Sequence, residues 1–208
     1  SHSAGGEKDA SGYRRWIRDV ARGLAGKRAV VVLEPDATAS TDCLSVPQQR
    51  ERFALLADAV RVLKDANATV YLDAGHAKWR SAADMAARLQ QSGIGQADGF
   101  ALNVSNYVSN AANISFGEAL SRRVGGKHFI IDTSRNGAGT ATTWCNPSGQ
   151  ATGVAPTTRT GHPLVDAFLW VKQPGESDGS CGGGPSAGTF WPEYALGLVQ
   201  RSPTYASR

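Results

Sequence analysis

Carboxylic acids stand at the ends of apolar runs in this chain, the placement that proton-transfer chemistry at a shared rim would need. Residues 29–33, which are Ala29, Val30, Val31, Val32 and Leu33, stop at Glu34, Pro35 and Asp36. Residues 69–72 stop at Asp73, residues 128–131 stop at Asp132, and residues 167–171 lead through Lys172 to Glu176 and Asp178. A fifth run, residues 99–102, ends in the amide Asn103 and is followed by Ser105, Asn106 and Tyr107. One Asp after one strand is ordinarily a turn former or a helix cap. The same arrangement four times over favours acids aimed at one edge, and in α/β folds the C-terminal strand ends are where catalytic side chains collect.

The acids share their loops with amides and indoles: Asp36, Asp73, Glu176 and Asp178 with Asn103, Asn106, Trp79, Trp144 and Trp170. Sugars want this combination. Carboxylates supply acid and base for glycosidic cleavage, amides bridge hydroxyls, and flat indoles stack on the apolar faces of pyranose rings. Trp170, inside an apolar run, reads as core, whereas Trp79 and Trp144, in polar loops, read as platforms. The four histidines, at 2, 76, 128 and 162, show no metal-ligand spacing with one another or with the cysteines. Gly182, Gly183 and Gly184 are not followed by the Lys and Ser/Thr of a phosphate loop. No metal and no cofactor is expected.

The elements that must position these residues follow from period and caps. Apolar runs without alternation suit strands covered on both faces, as in parallel sheets, and Pro35 cannot donate to a ladder, so pairing should end there. Residues 1–6 read as a small-residue loop. A first helix follows, with Ser11 as its cap, Tyr13, Ile17, Val20, Ala21 and Leu24 at helical spacing, and Gly26 as its stop. Ser45 and Gln48 form a capping box ahead of the stripe Phe53, Leu56, Val60, Leu63. Ser81 with Asp84 caps the next helix, whose Met85 and Leu89 share a face before Gly93. Ser115 with Glu118 should cap another, with Phe116, Leu120 and Val124 inward. A last helix around residues 192–200 packs Tyr194 and Leu198. Strand alternating with helix predicts a parallel sheet built by right-handed crossovers and curling toward a barrel. From Asn136 to Pro163 the chain is Gly/Thr/Ala/Asn-rich without period, an excursion that a compact domain usually keeps for function.

With 208 residues, 41% of them hydrophobic and 19% charged, the chain has the composition of one ordinary globular domain. A net charge of +4 is mild. Its basic residues are scattered apart from Arg14, Arg15, Arg18 and Arg22, which suit the wet face of a helix, so no nucleic-acid partner is expected. No apolar run approaches the roughly 20 residues that span a bilayer, and no membrane partner is expected. Cys145 and Cys181 each lie in Gly/Ser/Asn-rich loops, as bridged cysteines often do, while Cys43 has no evident mate; an oxidising, extracellular setting is favoured.

Six blocks carry a resemblance. They are residues 33–36, 72–79, 103–107, 131–137, 144–149 and 170–179, among them Leu72-Asp73-Ala74-Gly75-His76, Asn103-Val104-Ser105-Asn106-Tyr107 and Gly175-Glu176-Ser177-Asp178-Gly179. In order and in register they closely resemble glycoside hydrolase family 6, the inverting cellulases. The resemblance implies a distorted parallel β/α barrel and hydrolysis of β-1,4-glucan. It makes Asp36 the general acid, Asp73 the aspartate that influences its protonation, and Asp178 the debated general base, near Arg135 and Lys172. It makes His76, Trp79, Asn103, Asn106, Trp144, Lys172 and Glu176 sugar-binding positions. Inversion requires room for a water, so acid and base carboxyls are expected roughly 6.5–9.5 Å apart.

Family members carry more chain ahead of the position matching Ser1: initial barrel strands, a substrate-side tryptophan, and an Arg-Asp-Cys block whose aspartate helps hold the water and whose cysteine would pair with Cys43. The expectation is therefore a single catalytic domain over residues 1–208, the C-terminal larger part of such a domain, lacking its first strands. The activity expected is that of a secreted, monomeric, endo-acting β-1,4-glucanase on cellulose or a related β-glucan. The endo mode rests on the short Gly/Ser-rich loop between Asp178 and Phe190, where tunnel-forming cellobiohydrolases of the family carry a longer insertion. A glucan-binding remnant without water-activating machinery and an exo-acting cellobiohydrolase remain as alternatives. Cys145 and Cys181 should be bridged, tying the Trp144 loop to the Asp178 loop, with Cys43 free.

Overall fold

In a computed structural model that describes residues 6–203, five strands run parallel and lie side by side in chain order, as a curled half-barrel. Residues 1–5 of the expected N-terminal loop fall outside the described residues. The strands are β1 (Val30–Leu33), β2 (Thr69–Asp73), β3 (Gly99–Leu102), β4 (His128–Asp132) and β5 (Val165–Leu169). Helices α1 (Ala10–Leu24), α2 (Val46–Asp65), α3 (Ala82–Gln91), α4 (Asn110–Ser121) and α5 (Pro192–Gln200) complete the order, with one 3-10 turn at Cys181–Gly183. Each of the first three connections between strands carries one helix, and every pairing is parallel.

Burial accounts for the unalternating strands. Leu33, Val70, Leu72, Phe100, Leu102, Phe129, Ile131, Val165 and Phe168 pack with the helices in the larger cluster. Tyr71, Ala101, Ile130 and Ala167 join Val32, Leu169 and Val171 in a second cluster on the other face. With both faces covered, every position of a central strand has reason to be apolar. Helix α4 lies close to β4 because Gly117 has no side chain: a Cβ there would come within 2.4 Å of the Phe129 ring, which itself stacks on Phe100 at 5.1 Å.

The capping box of Ser45 and Gln48 and the Ser81 cap on the Asp84 amide stand as expected. Two caps are elsewhere. Helix α1 is capped by Asp9, whose carboxylate accepts from the Gly12 amide at 2.8 Å, and the Ser11 hydroxyl donates to the same carboxylate. The carboxylate is the stronger acceptor, and it carries charge at the positive end of the helix. Helix α4 begins at Asn110 behind Ser109, so Ser115 is mid-helix. The polar stretch Ser109–Asn113, which has no apolar period, is helical because Asn113 is buried and donates its side-chain amide to the Val108 and Ser109 carbonyls. Strand β5 also sits earlier than expected. A register shift opposite Phe129 and Ile130 admits Asp166 into the strand, and pairing stops at Leu169. Trp170 thus falls outside the core; it is half-buried, with its indole N–H donated to the Val154 carbonyl at 2.9 Å.

Candidate active site

The loops at the C-terminal strand ends form one rim, and its first carboxylate arrives on a strained turn. After β1 both Glu34 (φ 48°) and Asp36 (φ 71°) take left-handed backbone, a conformation that costs non-glycine residues energy and is retained where the surroundings over-determine it. The surroundings here are specific. The Asp36 amide donates to Asp73 Oδ2 at 2.9 Å, the Thr38 hydroxyl to the Asp73 carbonyl, and the Ser40 amide to the Asp36 carbonyl at 2.7 Å. Arg80, just before α3, donates twice to the Ala39 carbonyl, and Arg88 of α3 donates to the Thr38 carbonyl, both held by Asp42 and Asp84. Asp36 keeps an exposed surface, but the protein wall on its inner side raises its carboxyl above the ordinary carboxylate range.

Asp73, the last residue of β2, is buried beneath this turn. Its Oδ2 accepts from the amides of Asp36 and Gly75, while Oδ1 has no partner among the described residues. Burial pushes its pKa up to about 7; the two amides oppose the rise and the charge of Asp36 adds to it. A carboxyl with that affinity for a proton and one unoccupied oxygen can hold the proton there. Asp132, at the end of β4, is buried differently. Its oxygens accept the amides of Ser134, Ser105 and Lys172 at 2.8–3.0 Å, so it ties three rim loops together; burial still raises its pKa against those bonds.

At the other end Asp178 receives four donors. Arg135 reaches it with both terminal nitrogens, Nη2 to Oδ1 at 2.9 Å and Nη1 to Oδ2 at 3.0 Å, and Oδ2 also accepts from the Tyr107 hydroxyl and the Asn146 amide. The Arg135 side chain is 0% exposed and its guanidinium lies 4.4 Å over the Tyr107 ring. Tyr107 in turn meets the Tyr194 hydroxyl of α5 at 3.1 Å. Asn146 closes the arrangement: its side chain accepts from the Asp178 amide and donates to the carbonyls of Gly179 and Cys181. The Cys145–Cys181 disulfide joins the same two loops, and Cys43 is free and exposed.

Between these ends lie the expected sugar-binding residues. Trp79 and Trp144 are exposed, at 36% and 49%, on polar loops. The His76 ring lies 5.6 Å from Trp79, and burial, then the charge of Lys78, push its imidazole below its ordinary value. Lys172 Nζ donates to Glu176 Oε2 at 3.0 Å. Asn106 is half-buried, its amide on the Val104 carbonyl. Asn103 departs from the expected role. It is 0% exposed, its Nδ2 donates to the Asp132 and Asn106 carbonyls and its Oδ1 accepts from Val108, so it shapes the loop and presents nothing to a ligand. Asn146, Tyr107, Tyr194, Arg80 and Arg88 are positioning residues that pattern alone did not single out. Asn146, between a cysteine and Pro147, carries only a turn former's signal. Among the described residues no group of three or more His, Cys, Asp or Glu side chains is gathered as metal ligands would be.

The family model described as glycosyl hydrolases family 6 matches residues 1–202. Endoglucanase A of Cellulomonas fimi is 48% identical over 203 residues, covering 97% of this chain and 44% of that protein. Endoglucanase 1 of Streptomyces halstedii is 45% identical over 207 residues, covering 95% of this chain and 64% of its own. The chain thus spans about half the length of the curated relatives it matches. Among solved structures, the endoglucanase Cel6 from Mycobacterium tuberculosis, in complex with a methyl-cellobiosyl-4-deoxy-4-thio-β-D-cellobioside, superposes with a TM-score of 0.93 at 49% identity, covering 100% of this chain and 72% of that one. Agreement in sequence over nearly its whole length, and in the path of its backbone, makes this chain a member of glycosyl hydrolase family 6.

Proposed function

We propose that the chain forms the cleft of an inverting, endo-acting β-1,4-glucanase whose substrate is cellulose or a related β-glucan. The observation that carries this reading is the Asp36–Asp73 pair. One carboxyl is exposed at the rim with its proton affinity raised, and the other is buried beneath it and hydrogen-bonded to its amide. In this reading Asp36 protonates the glycosidic oxygen, and Asp73, which burial pushes up to about 7, sets the charge beneath it. For the water, Asp178 Oδ2 already accepts three hydrogen bonds and Oδ1 one, so Oδ1 is the atom with capacity left to receive a proton. Trp79 and Trp144 supply flat faces, and Lys172, Glu176 and Asn106 supply polar contacts. The names of three bacterial relatives, each an endoglucanase, support the endo mode, as does the short loop from Gly179 to Thr189. Export from the cell accords with the disulfide.

A general acid matters when the leaving group needs a proton. Asp36→Asn should slow hydrolysis of soluble carboxymethylcellulose by about 10²–10⁴-fold, while a cello-oligosaccharyl fluoride of the accepted anomer, whose leaving group needs far less help, loses much less. Equal losses on both substrates, with folding and glucan binding intact, exclude Asp36 as the acid. Viscosity falling no faster than reducing ends appear would remove the endo assignment. Retention in a glucan affinity gel without reducing-sugar release would point to a binding protein.

A further inference from the structure

Phe190 is 63% exposed, more than any other large apolar side chain in its loop. A single exposed Phe needs no explanation in itself. What distinguishes this one is the backbone that holds it. Glu176 and Phe190 form an antiparallel bridge, flanked by hydrogen bonds from the Ser177 amide to the Thr189 carbonyl (2.9 Å) and from the Trp191 amide to the Gly175 carbonyl (2.8 Å). With the bonds on the neighbours and none between the two residues themselves, this is the non-hydrogen-bonded kind of antiparallel pair. In such pairs the two side chains lie on one face and approach closest. Their neighbours face the other way: Ser177 is buried, and Trp191 stacks on the buried Tyr194 at 5.2 Å.

The Phe190 ring also has a support. Its Cδ2–Cε2 edge rests against Gly175, where a Cβ would come within 2.4 Å of it. Glu176, on the same face, is bound to Lys172 at 3.0 Å. A held aromatic surface beside a half-buried ammonium–carboxylate pair has an apolar patch for a ring face and a donor and an acceptor for its hydroxyls.

We propose that Phe190 supplies the aromatic platform of a further pyranose subsite, next to the sugar positions already assigned to Glu176 and Lys172, extending the glucan path past the Asp178 end of the rim. This inference rests on the glucanase reading, and Phe190 acts in it by binding, not in bond cleavage. The subsite is occupied only by chains long enough to reach it. The test is calorimetric titration of the protein in an Asp36→Asn background with cello-oligosaccharides from cellotriose to cellohexaose. Phe190→Ala should weaken binding of cellohexaose about tenfold and leave the shortest oligosaccharide that binds unchanged. Phe190→Leu, which keeps apolar volume over Gly175 but no flat face, should lose as much, and Phe190→Trp should retain affinity. If the unsubstituted protein binds cellohexaose and Phe190→Ala or Phe190→Leu binds it equally, or loses affinity by the same factor at every length, the subsite is wrong while the glucanase reading stands. If the unsubstituted protein binds none of these sugars, the glucanase reading fails and takes the subsite with it.

Discussion

Asp36 and Asp178 stand at opposite ends of one rim and are held in opposite ways. Asp36 rides on a left-handed turn, exposed, with its amide tied down and, among the described residues, no hydrogen bond to its carboxyl. The carboxyl of Asp178 is 7% exposed and takes donors from Arg135, Tyr107 and Asn146. Under the proposed mechanism the strained end gives a proton and the enclosed end accepts one from water. An acid that must move toward a glycosidic oxygen cannot be enclosed by four donors. A base that must stay in place for a water gains from being so held, with Oδ1 left to accept.

The contrast can be broken most forcefully at the Asp178 end. Arg135→Ala leaves Asp178 and the Tyr107 ring without their central cation, and we expect a loss of about 3–5 kcal/mol in denaturant unfolding. Asp36→Asn, at an exposed position, should change stability by less than about 0.5 kcal/mol. Comparable losses in the two variants would show that the ends are not held differently. Next in size is the disulfide, which belongs to the Asp178 end. Replacing Cys145 and Cys181 together by Ala should cost about 2–4 kcal/mol. Thiol titration of the denatured, unreduced protein should find one reactive sulfhydryl, that of Cys43, and three would refute the pairing.

Asp73 sharpens the contrast through pH. Its folded pKa, about 7, lies above the 3.8 of an ordinary Asp, so the folded chain binds more protons than the unfolded one between those values. Its contribution is therefore most favourable below pH 4 and is lost as pH rises toward 7, with a slope of at most about 1.4 kcal/mol per pH unit. Asp73→Asn keeps an oxygen for the Asp36 and Gly75 amides and removes the titration. The variant should become flatter in that window, and an unchanged slope would mean that Asp73 is not the titrating group. A further variant belongs at neither end: Asp9→Ala removes the cap of α1 and should lower stability modestly at neutral pH, an effect that fades as pH falls and the Asp9 carboxylate protonates, with no change in glucan binding.

The strands and the rim were legible because their cause is local. Val and Leu runs ending at Asp73, Asp132 and the Glu34–Asp36 turn report two-sided burial and loss of pairing in the order of residues alone. The start of the helix at Asn110 was not legible, since its first turn is polar and depends on what Asn113 meets after folding. The same limit applies within the site. Nothing local distinguishes Asn103, spent on the backbone, from Asn106 three residues on, and nothing near Tyr107 announces Arg135 over its ring. Trp170 was misjudged because β4 ends at Asp132, opposite Leu169, so pairing stops one residue before it. Where a strand stops is thus set by its partner segment.

The strand order has a consequence for how the chain is made. Because each strand pairs with the one before it, a growing chain can add each unit to a sheet already formed, closing loops of a few tens of residues each time. The step from β4 to β5 is the exception, since the irregular stretch from Thr133 to Leu164 must settle with no helix of its own. Both partners of the disulfide lie at or beyond that step, Cys145 within it and Cys181 after β5. Arg135 and Asp178 likewise meet only across it. The Asp36 end of the rim can thus assemble while the last third of the chain is still being synthesised, and the covalent lock arrives last. During synthesis, the interval before β5 docks leaves the β4 edge unpaired, and pulsed proteolysis of stalled chains ending near Pro163 should find its cuts concentrated there.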